Sequence, residues 1–256
     1  MEAAIIGGTG VYDLSLESRA ETVETKYGTV QVDIVKAGDK EVAFLARHGK
    51  DHSVPPHLIN YRANMKALKE LGVKYVYASA AVGSCNSRFA PGDIVVITDF
   101  IDFTKTRLAT FYDGGEEGVA HVDMSDPYCK NLRKRFYDVA VTEGLNIKGD
   151  AVYACTEGPR FETGHEIKMY RQLGADVVGM TSVPEVVLAK ELGMCYAAVG
   201  IITNWCTGVN GKEIALHDIK GVLEKTREKL TRTFIKALEG DLNQQNCSCA
   251  RSLIQM

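Results

Sequence analysis

The sequence predicts a single α/β domain with a mostly buried sheet flanked by helices. Apolar, β-rich runs alternate with helix-period segments from end to end. Several of these runs are nearly continuous in Val, Ile and Ala, as strands covered on both faces are. No linker, internal repeat or low-complexity segment divides the 256 residues, a length sufficient for one substantial core.

The expected strands are Ala3–Ile6, Val42–Ala46, Val73–Ser79, Ile94–Thr98, Ala151–Cys155, Val177–Met180 and Cys195–Thr203. The helices between them have readable ends. Asn60 is placed to cap a helix running to Leu71, with Gly72 to stop it. Asp126-Pro127 sets a capping side chain before a proline suited to the first helical position. Thr163-x-x-Glu166 and Ser182-x-x-Glu185 are capping-box patterns. From Leu216 to Leu238, apolar residues at three- and four-residue spacings predict an amphipathic helix packed on the rest. The segment from Thr104 to Val119, with Gly114-Gly115-Glu116-Glu117-Gly118, reads as the most flexible internal loop, of the kind that closes over a site or packs on a neighbouring subunit.

Hydrophobic residues at 45% and charged residues at 25% argue against disorder. A net charge of −3, from 30 basic and 33 acidic residues, supplies no electrostatic reason for a nucleic-acid partner. No apolar run approaches a membrane span, and Met1-Glu2-Ala3-Ala4-Ile5-Ile6 begins a strand instead of a signal peptide. The expectation is a cytoplasmic protein with no membrane partner. Of the seven cysteines, Cys155 and Cys195 lie in apolar surroundings where buried thiols are usual. Cys247-Ser248-Cys249 is compatible with a strained disulfide, a metal or an idle tail. With no second Cys/His pair nearby in sequence, a four-ligand zinc site is not expected.

The stretch Thr156-Glu157-Gly158-Pro159-Arg160-Phe161-Glu162-Thr163 carries the most chemistry. Its turn presents an aromatic face and a carboxylate side by side: Phe161 to cover a flat heterocycle, Glu162 to accept from its edge. Asn204 both donates and accepts, so it suits a second edge. Together they fit a purine bearing N1–H and a 6-oxo group, and fit adenine poorly because its N1 is an acceptor.

Other segments leave two readings open. Gly7-Gly8-Thr9-Gly10 lacks the dinucleotide and P-loop patterns, yet its glycines free backbone N–H groups for an anion and Thr9 adds a hydroxyl; a structural turn explains it too. Arg47-His48-Gly49-Lys50-Asp51-His52 is either an oxyanion clamp or a solvated loop. Its glycine and the nearby Pro55-Pro56 argue against a metal-binding His48/His52 pair. Ala78-Ser79-Ala80-Ala81-Val82-Gly83-Ser84 serves either close ligand approach or close packing. Thr181 and the helix start after it suit an anion, whereas Met180 and His121, taken singly, read as core residues. No Ser/His/Asp or cysteine nucleophile stands out, and Cys85 lacks a base.

Taken in order, Gly7-Gly8-Thr9-Gly10, Arg47-His48-Gly49, Gly92-Asp93-Ile94, Glu157-Gly158-Pro159-Arg160-Phe161 and Met180-Thr181-x-x-Pro184-Glu185 resemble the trimeric purine nucleoside phosphorylase and methylthioadenosine phosphorylase family over about Ala3 to Leu238. The resemblance implies one nucleoside-phosphorylase-type domain over 1–256, its core at about 3–239, with a mixed central sheet and a short Cys-Ser-Cys tail. It implies reversible phosphorolysis without metal or organic cofactor, in a trimer or dimer of trimers. By motif, Thr9, Arg47, His48, Ala80, Ala81 and Thr181 fall on the phosphate site and Met180 on the ribose contact. Phe161, Glu162, Asn204 and Cys206 fall on the base site, with Asn204 and His48 as the catalytic pair. His121 falls where a neighbouring subunit lends a residue near the sugar's 5′ end.

The departures from that family select the substrate. Methylthioadenosine phosphorylases carry a small hydroxyl residue where this chain has Glu162, and aspartates where it has Asn204 and Cys206. Glu162 and Asn204 look like the 6-oxopurine enzymes, which implies inosine, guanosine or S-methyl-5′-thioinosine as substrate in purine salvage. Ile219 falls where enzymes for ordinary nucleosides place a histidine, which favours a 5′-methylthio group; His217, two residues away, would restore the 5′-hydroxyl if the register were shifted.

Overall fold

The computed structural model describes residues 1–8, 18–51, 53–211 and 213–255. Every expected strand is present. They are β1 (Ala3–Gly7), β4 (Lys40–Ala46), β5 (Tyr75–Ser84), β6 (Ile94–Phe103), β8 (Ile147–Thr156), β9 (Val177–Gly179) and β10 (Cys195–Trp205). Sequence reading missed β2 (Ser18–Thr25) and β3 (Gly28–Ala37), a hairpin whose outer strand is mostly exposed and polar. An edge strand of this kind lacks the apolar run that marks a buried one. Also unforeseen were the short β7 (Ala120–Val122) and β11 (Leu253–Gln255), which pair with each other and bring the C-terminal tail back onto the domain.

Among the described residues the main sheet runs β10-β6-β8-β9-β5-β1-β4-β3-β2, and β10 also pairs with β5. Strands β5, β10, β6, β8 and β9 therefore close into a ring, from which the other four extend as a twisted wing. The sheet is mixed: β5 runs parallel to β1 and β10, while β9 runs antiparallel to β5 and β6 antiparallel to β10.

Helices cover both faces. In α1 (Tyr61–Glu70) the Asn60 side chain accepts from the Ala63 N–H, and Gly72 takes φ +84°, so both sequence signals act as expected. In α3 (Gly164–Gln172) the Thr163/Glu166 capping box is complete. Two start signals misled. Helix α2 (Lys130–Thr142) begins after Cys129, and Asp126 instead pairs with Arg133 at 3.1 Å. Helix α4 (Ser182–Glu191) has no side-chain cap, because tertiary partners take both members of the pattern: the Ser182 hydroxyl meets the Tyr128 hydroxyl at 2.6 Å, and Glu185 pairs with Arg47. Helix α5 (Leu216–Glu239) forms as expected and packs with α2 on one face, where Tyr77 stacks on Phe234 with centroids 5.1 Å apart. No helix among the described residues is long and apolar enough to cross a membrane.

The first half of the Thr104–Val119 loop is strapped down, contrary to the flexible reading. Arg107 donates to the carbonyls of Val183, Thr156 and Glu157 at 2.6, 3.1 and 2.8 Å. Glu191 accepts from the Thr110 hydroxyl and the Phe111 N–H at 2.7 and 2.8 Å. Its glycines mark flexibility in sequence, but distant acceptors decide where the loop lies.

Candidate active site

Two sets of strands deliver side chains to one cavity of about 440 Å³. Strands β1, β4, β5 and β10 run together and contribute Gly8, Arg47-His48, Ala80 to Gly83, and Asn204. Strand β9 lies antiparallel to β5, with Gly83 opposite Val178, so the chain after it brings Met180 and Thr181 back along β5. The turn after β8 supplies Phe161 and Glu162, and the segment around the start of α5 supplies Ile214 and Ile219. Arg47, His48, Ala80, Ala81, Phe161, Glu162, Met180, Thr181, Asn204, Cys206 and Ile219 thus share one cavity wall. Thr9, expected beside phosphate, lies outside the described residues.

Arg47 is buried, and its guanidinium is held by Glu185: Nε donates to Oε2 at 2.7 Å and Nη2 to Oε1 at 2.6 Å, while Nη1 donates to the Ser79 carbonyl at 2.9 Å. The Tyr196 hydroxyl donates to the same Glu185 oxygen at 2.6 Å. The planar fork of Arg matches a carboxylate in this bidentate way. Sequence reading missed Glu185 as a site residue, because its spacing from Ser182 advertised a helix cap. A Cβ at Gly8 would lie 2.9 Å from the Ser79 carbonyl oxygen and 3.0 Å from Arg47 Nη1, so a glycine is required against the arginine.

His48 Nδ1 lies 2.8 Å from the Val54 carbonyl oxygen. A carbonyl only accepts, so Nδ1 carries the proton and the ring orientation is set. Thr181 is buried on the cavity wall, but its N–H donates to the Tyr153 hydroxyl at 3.1 Å, Val183 is out of helical conformation, and Pro184 has no N–H. The start of α4 is therefore not the open row of donors that its sequence suggested, and Thr181 is left with its hydroxyl.

Glu162 is buried and accepts from the Thr156 hydroxyl at 2.7 Å, which fixes one carboxylate oxygen. Beside it Phe161 is 51% exposed at the cavity rim, a placement open to a flat ligand. A bulge aims Asn204. The β10–β5 register passes from Ile202 opposite Val82 to Asn204 opposite Gly83, leaving Thr203 as the extra residue, and such bulges redirect side chains at sites. The Thr203 hydroxyl then donates to Asn204 Oδ1 at 2.8 Å, and Nδ2 donates to the Trp205 carbonyl at 2.9 Å. Gly83 makes room: a Cβ there would lie 2.7 Å from Cys206 Sγ and 3.3 Å from Asn204 Nδ2. Burial pushes the Cys206 thiol up, so it presents a neutral, weakly polar surface. Cys85 is likewise pushed up to about 12 by burial, which disfavours the reactive thiolate.

His121 stands apart from this cavity, exposed on β7 opposite Ile254 of β11. His217 is exposed, whereas Ile219 and Ile214 line the cavity. A second cluster was not foreseen: Cys247 and Cys249 of the tail meet Cys129 and Cys195, all four buried. No second pair lies nearby in the chain; the partners come from the start of α2 and the start of β10.

A mixed α/β ring whose cavity joins an Arg/His/Thr group to an aromatic, a carboxylate and an amide offers chemistry suited to an anion and a flat heterocycle. The chain belongs to the Phosphorylase superfamily, whose family model matches residues 2–239. It is 49% identical to the 6-oxopurine nucleoside phosphorylase of Pyrococcus furiosus, across 98% of this chain and 97% of the relative. A probable S-methyl-5′-thioinosine phosphorylase of Methanopyrus kandleri is 47% identical, with 98% and 97% covered. A mutant adenosine/methylthioadenosine phosphorylase from Schistosoma mansoni, solved in complex with adenine, superposes with a TM-score of 0.87 at 30% identity, covering 95% of this chain and 93% of that one.

Proposed function

We propose that this protein is a pentosyltransferase that carries out reversible phosphorolysis of 6-oxopurine nucleosides. It releases the free base and ribose 1-phosphate, or 5-methylthioribose 1-phosphate, in purine salvage. The observation that carries the reading is the presence of Glu162 and Asn204 on the wall of the same cavity as Arg47, His48 and Thr181.

Phosphate, held by Arg47, His48, the Thr181 hydroxyl and Thr9 alongside Ala80 and Ala81, attacks C1′ as the glycosidic bond loosens. The attacking anion stabilises positive charge on the sugar, and Asn204 stabilises negative charge building on the departing purine through N7 or O6. Glu162 accepts from N1–H and fixes the base, a positioning contribution. Adenine would set a lone pair against that carboxylate. Leaving a buried polar group unpaired costs roughly 1–3 kcal/mol. Met180 lies under the sugar. Apolar Ile219 and Ile214 support a 5′-methylthio substituent, which makes S-methyl-5′-thioinosine the preferred substrate. The reaction as drawn uses no metal or organic cofactor.

The working unit in this reading is a cytoplasmic homotrimer or dimer of trimers, in which His121 of one subunit serves the 5′ end of its neighbour's site. The exposure of His121, and of the apolar Leu58, Leu108 and Val119, supports a contact surface. The Schistosoma mansoni likeness keeps one alternative in view, phosphorolysis of S-methyl-5′-thioadenosine. Incubating the protein with S-methyl-5′-thioinosine, inosine, guanosine and S-methyl-5′-thioadenosine, with and without phosphate, separates the two. Base release that ignores phosphate would overturn phosphorolysis altogether.

A further inference from the structure

Cys129, Cys195, Cys247 and Cys249 come from three separate parts of the chain and meet on the face of the sheet covered by α2 and α5. Cys129 is the residue before α2, Cys195 opens β10, and the other two lie in the tail. We propose that these four cysteines form a structural zinc site that fastens the C-terminal tail to the sheet.

The geometry fits one ion shared by four sulfurs. All four Sγ atoms lie within 4.8 Å of one another, and Cys195 Sγ and Cys247 Sγ are 3.5 Å apart. Zinc–sulfur bonds of about 2.3 Å in a tetrahedron place sulfurs on the order of 3.8 Å apart, inside that spread. Each sulfur neighbours the other three, the arrangement of a closed tetrahedral site. Four thiolates with no other donor select a soft cation and leave no open coordination position, as structural sites require.

Lys190 is an independent sign of negative charge here. It is fully buried, and its ammonium has no hydrogen-bond partner among the described residues. The Ser252 hydroxyl bridges its carbonyl oxygen and that of Cys249, at 3.1 and 2.9 Å, and the Lys190 charge acts on Cys249. The Lys190 charge also reaches Asp123, which is exposed and accepts from Ser125. A zinc ion with four thiolates carries a net charge of −2, half of which a buried ammonium offsets; neutral thiols would leave that ammonium uncompensated. On binding, four S–H groups give their protons to solvent and four Zn–S bonds form, with no change of oxidation state.

Such a clamp would add to the hydrogen bonds that hold the tail, among them Gln244 Nε2 to the Gly193 carbonyl at 3.0 Å. Among the described residues beyond α5, regular structure is limited to a three-residue helical turn and the three-residue β11. That strand is the partner of β7, which carries His121. A metal clamp would thus hold both elements, at the opposite end of β10 from the Asn204 that lines the cavity.

The test is metal analysis of the full chain purified in reducing, chelator-free buffer, by inductively coupled plasma mass spectrometry. About one zinc per chain is expected, with little or none in the Cys247→Ser/Cys249→Ser variant. Should that variant fail to fold, wild-type protein loaded with cobalt(II) supplies a second readout: the intense sulfur-to-cobalt charge-transfer and tetrahedral visible bands. Zinc-free protein would overturn the proposal in either of two forms. Non-reducing denaturation would then expose only Cys85, Cys155 and Cys206 as thiols, marking two disulfides, or all seven cysteines of the chain, marking inert neighbours.

Discussion

Arg47 and Glu185, 138 residues apart, form a buried bidentate ion pair at 2.7 and 2.6 Å beside the cavity that Arg47 lines. Glu185 thereby turns a long, flexible cation into a fixed one. Removing one partner of a buried pair costs about 3–5 kcal/mol, so Glu185→Ala should lower thermal stability markedly. Glu185→Gln keeps the shape and loses the charge. We expect it to raise KM for phosphate roughly tenfold or more with a smaller change in KM for the nucleoside. Steady-state kinetics with each substrate varied in turn checks this; equal changes in both would point to general loosening of the fold.

In the proposed function Glu162 and Asn204, which line one cavity, hold the base. Glu162→Ala should lower kcat/KM for 6-oxopurine nucleosides roughly 10- to 100-fold, the equivalent of one lost buried hydrogen bond. The residual activity on S-methyl-5′-thioadenosine should fall less, so the ratio of the two substrates is the diagnostic quantity. Asn204→Ala should act mainly on kcat, because its donor is called on as charge builds on the leaving base.

Gly83 is required by its neighbours. A Cβ there collides with Cys206 Sγ at 2.7 Å and crowds Asn204 Nδ2 at 3.3 Å. Gly83→Ala should cost about 1–3 kcal/mol of stability, the usual range for overpacking, and should lower kcat at least as strongly as Asn204→Ala does. Normal kcat in a folded Gly83→Ala protein would show that Asn204 tolerates displacement.

Ile219 tests the 5′ end of the nucleoside. Ile219→His should raise kcat/KM for inosine relative to S-methyl-5′-thioinosine, by roughly tenfold for one added hydrogen bond to the 5′-hydroxyl. An unchanged ratio on competing the two substrates would remove Ile219 from specificity.

The turn carrying Phe161 and Glu162 is tied to α3 through Glu166. Hydrogen bonding from Arg160, then from the Thr163 N–H, draws the Glu166 carboxyl down to about 2 from an ordinary value of 4.5. A depressed carboxylate contributes stability that is complete above its unfolded value and is lost as pH falls through the folded one. The stability of the wild-type protein should therefore decline between about pH 4.5 and pH 2 more steeply than that of Glu166→Gln, as measured by urea titration across that range.

Strands buried on both faces were legible because Val, Ile and Ala runs report burial directly. The β2–β3 hairpin was not: edge strand β2 has no apolar signature, and β3 alternates Val30, Val32 and Ile34 with polar residues instead of forming a continuous run. At the site, Phe161, Glu162 and Asn204 could be read as a chemical set because a turn and a strand end present them. Glu185 and the start of α4 misled, because local capping grammar and a tertiary ion pair use the same residue types. The four-cysteine cluster was invisible for a related reason: Cys129 and Cys195 are isolated in sequence, and the packing of α2 on β10 and the return of the tail along β7 bring all four together.

The central claim is that Glu162 and Asn204 make this fold a phosphate-dependent enzyme for 6-oxopurines. The direct measurement is kcat/KM for S-methyl-5′-thioinosine and S-methyl-5′-thioadenosine side by side, with and without phosphate. The account predicts phosphate-dependent release of hypoxanthine and a preference over the adenine nucleoside of at least about 100-fold, within the range that hydrogen-bonding sites achieve. Faster release of adenine than of hypoxanthine would contradict it.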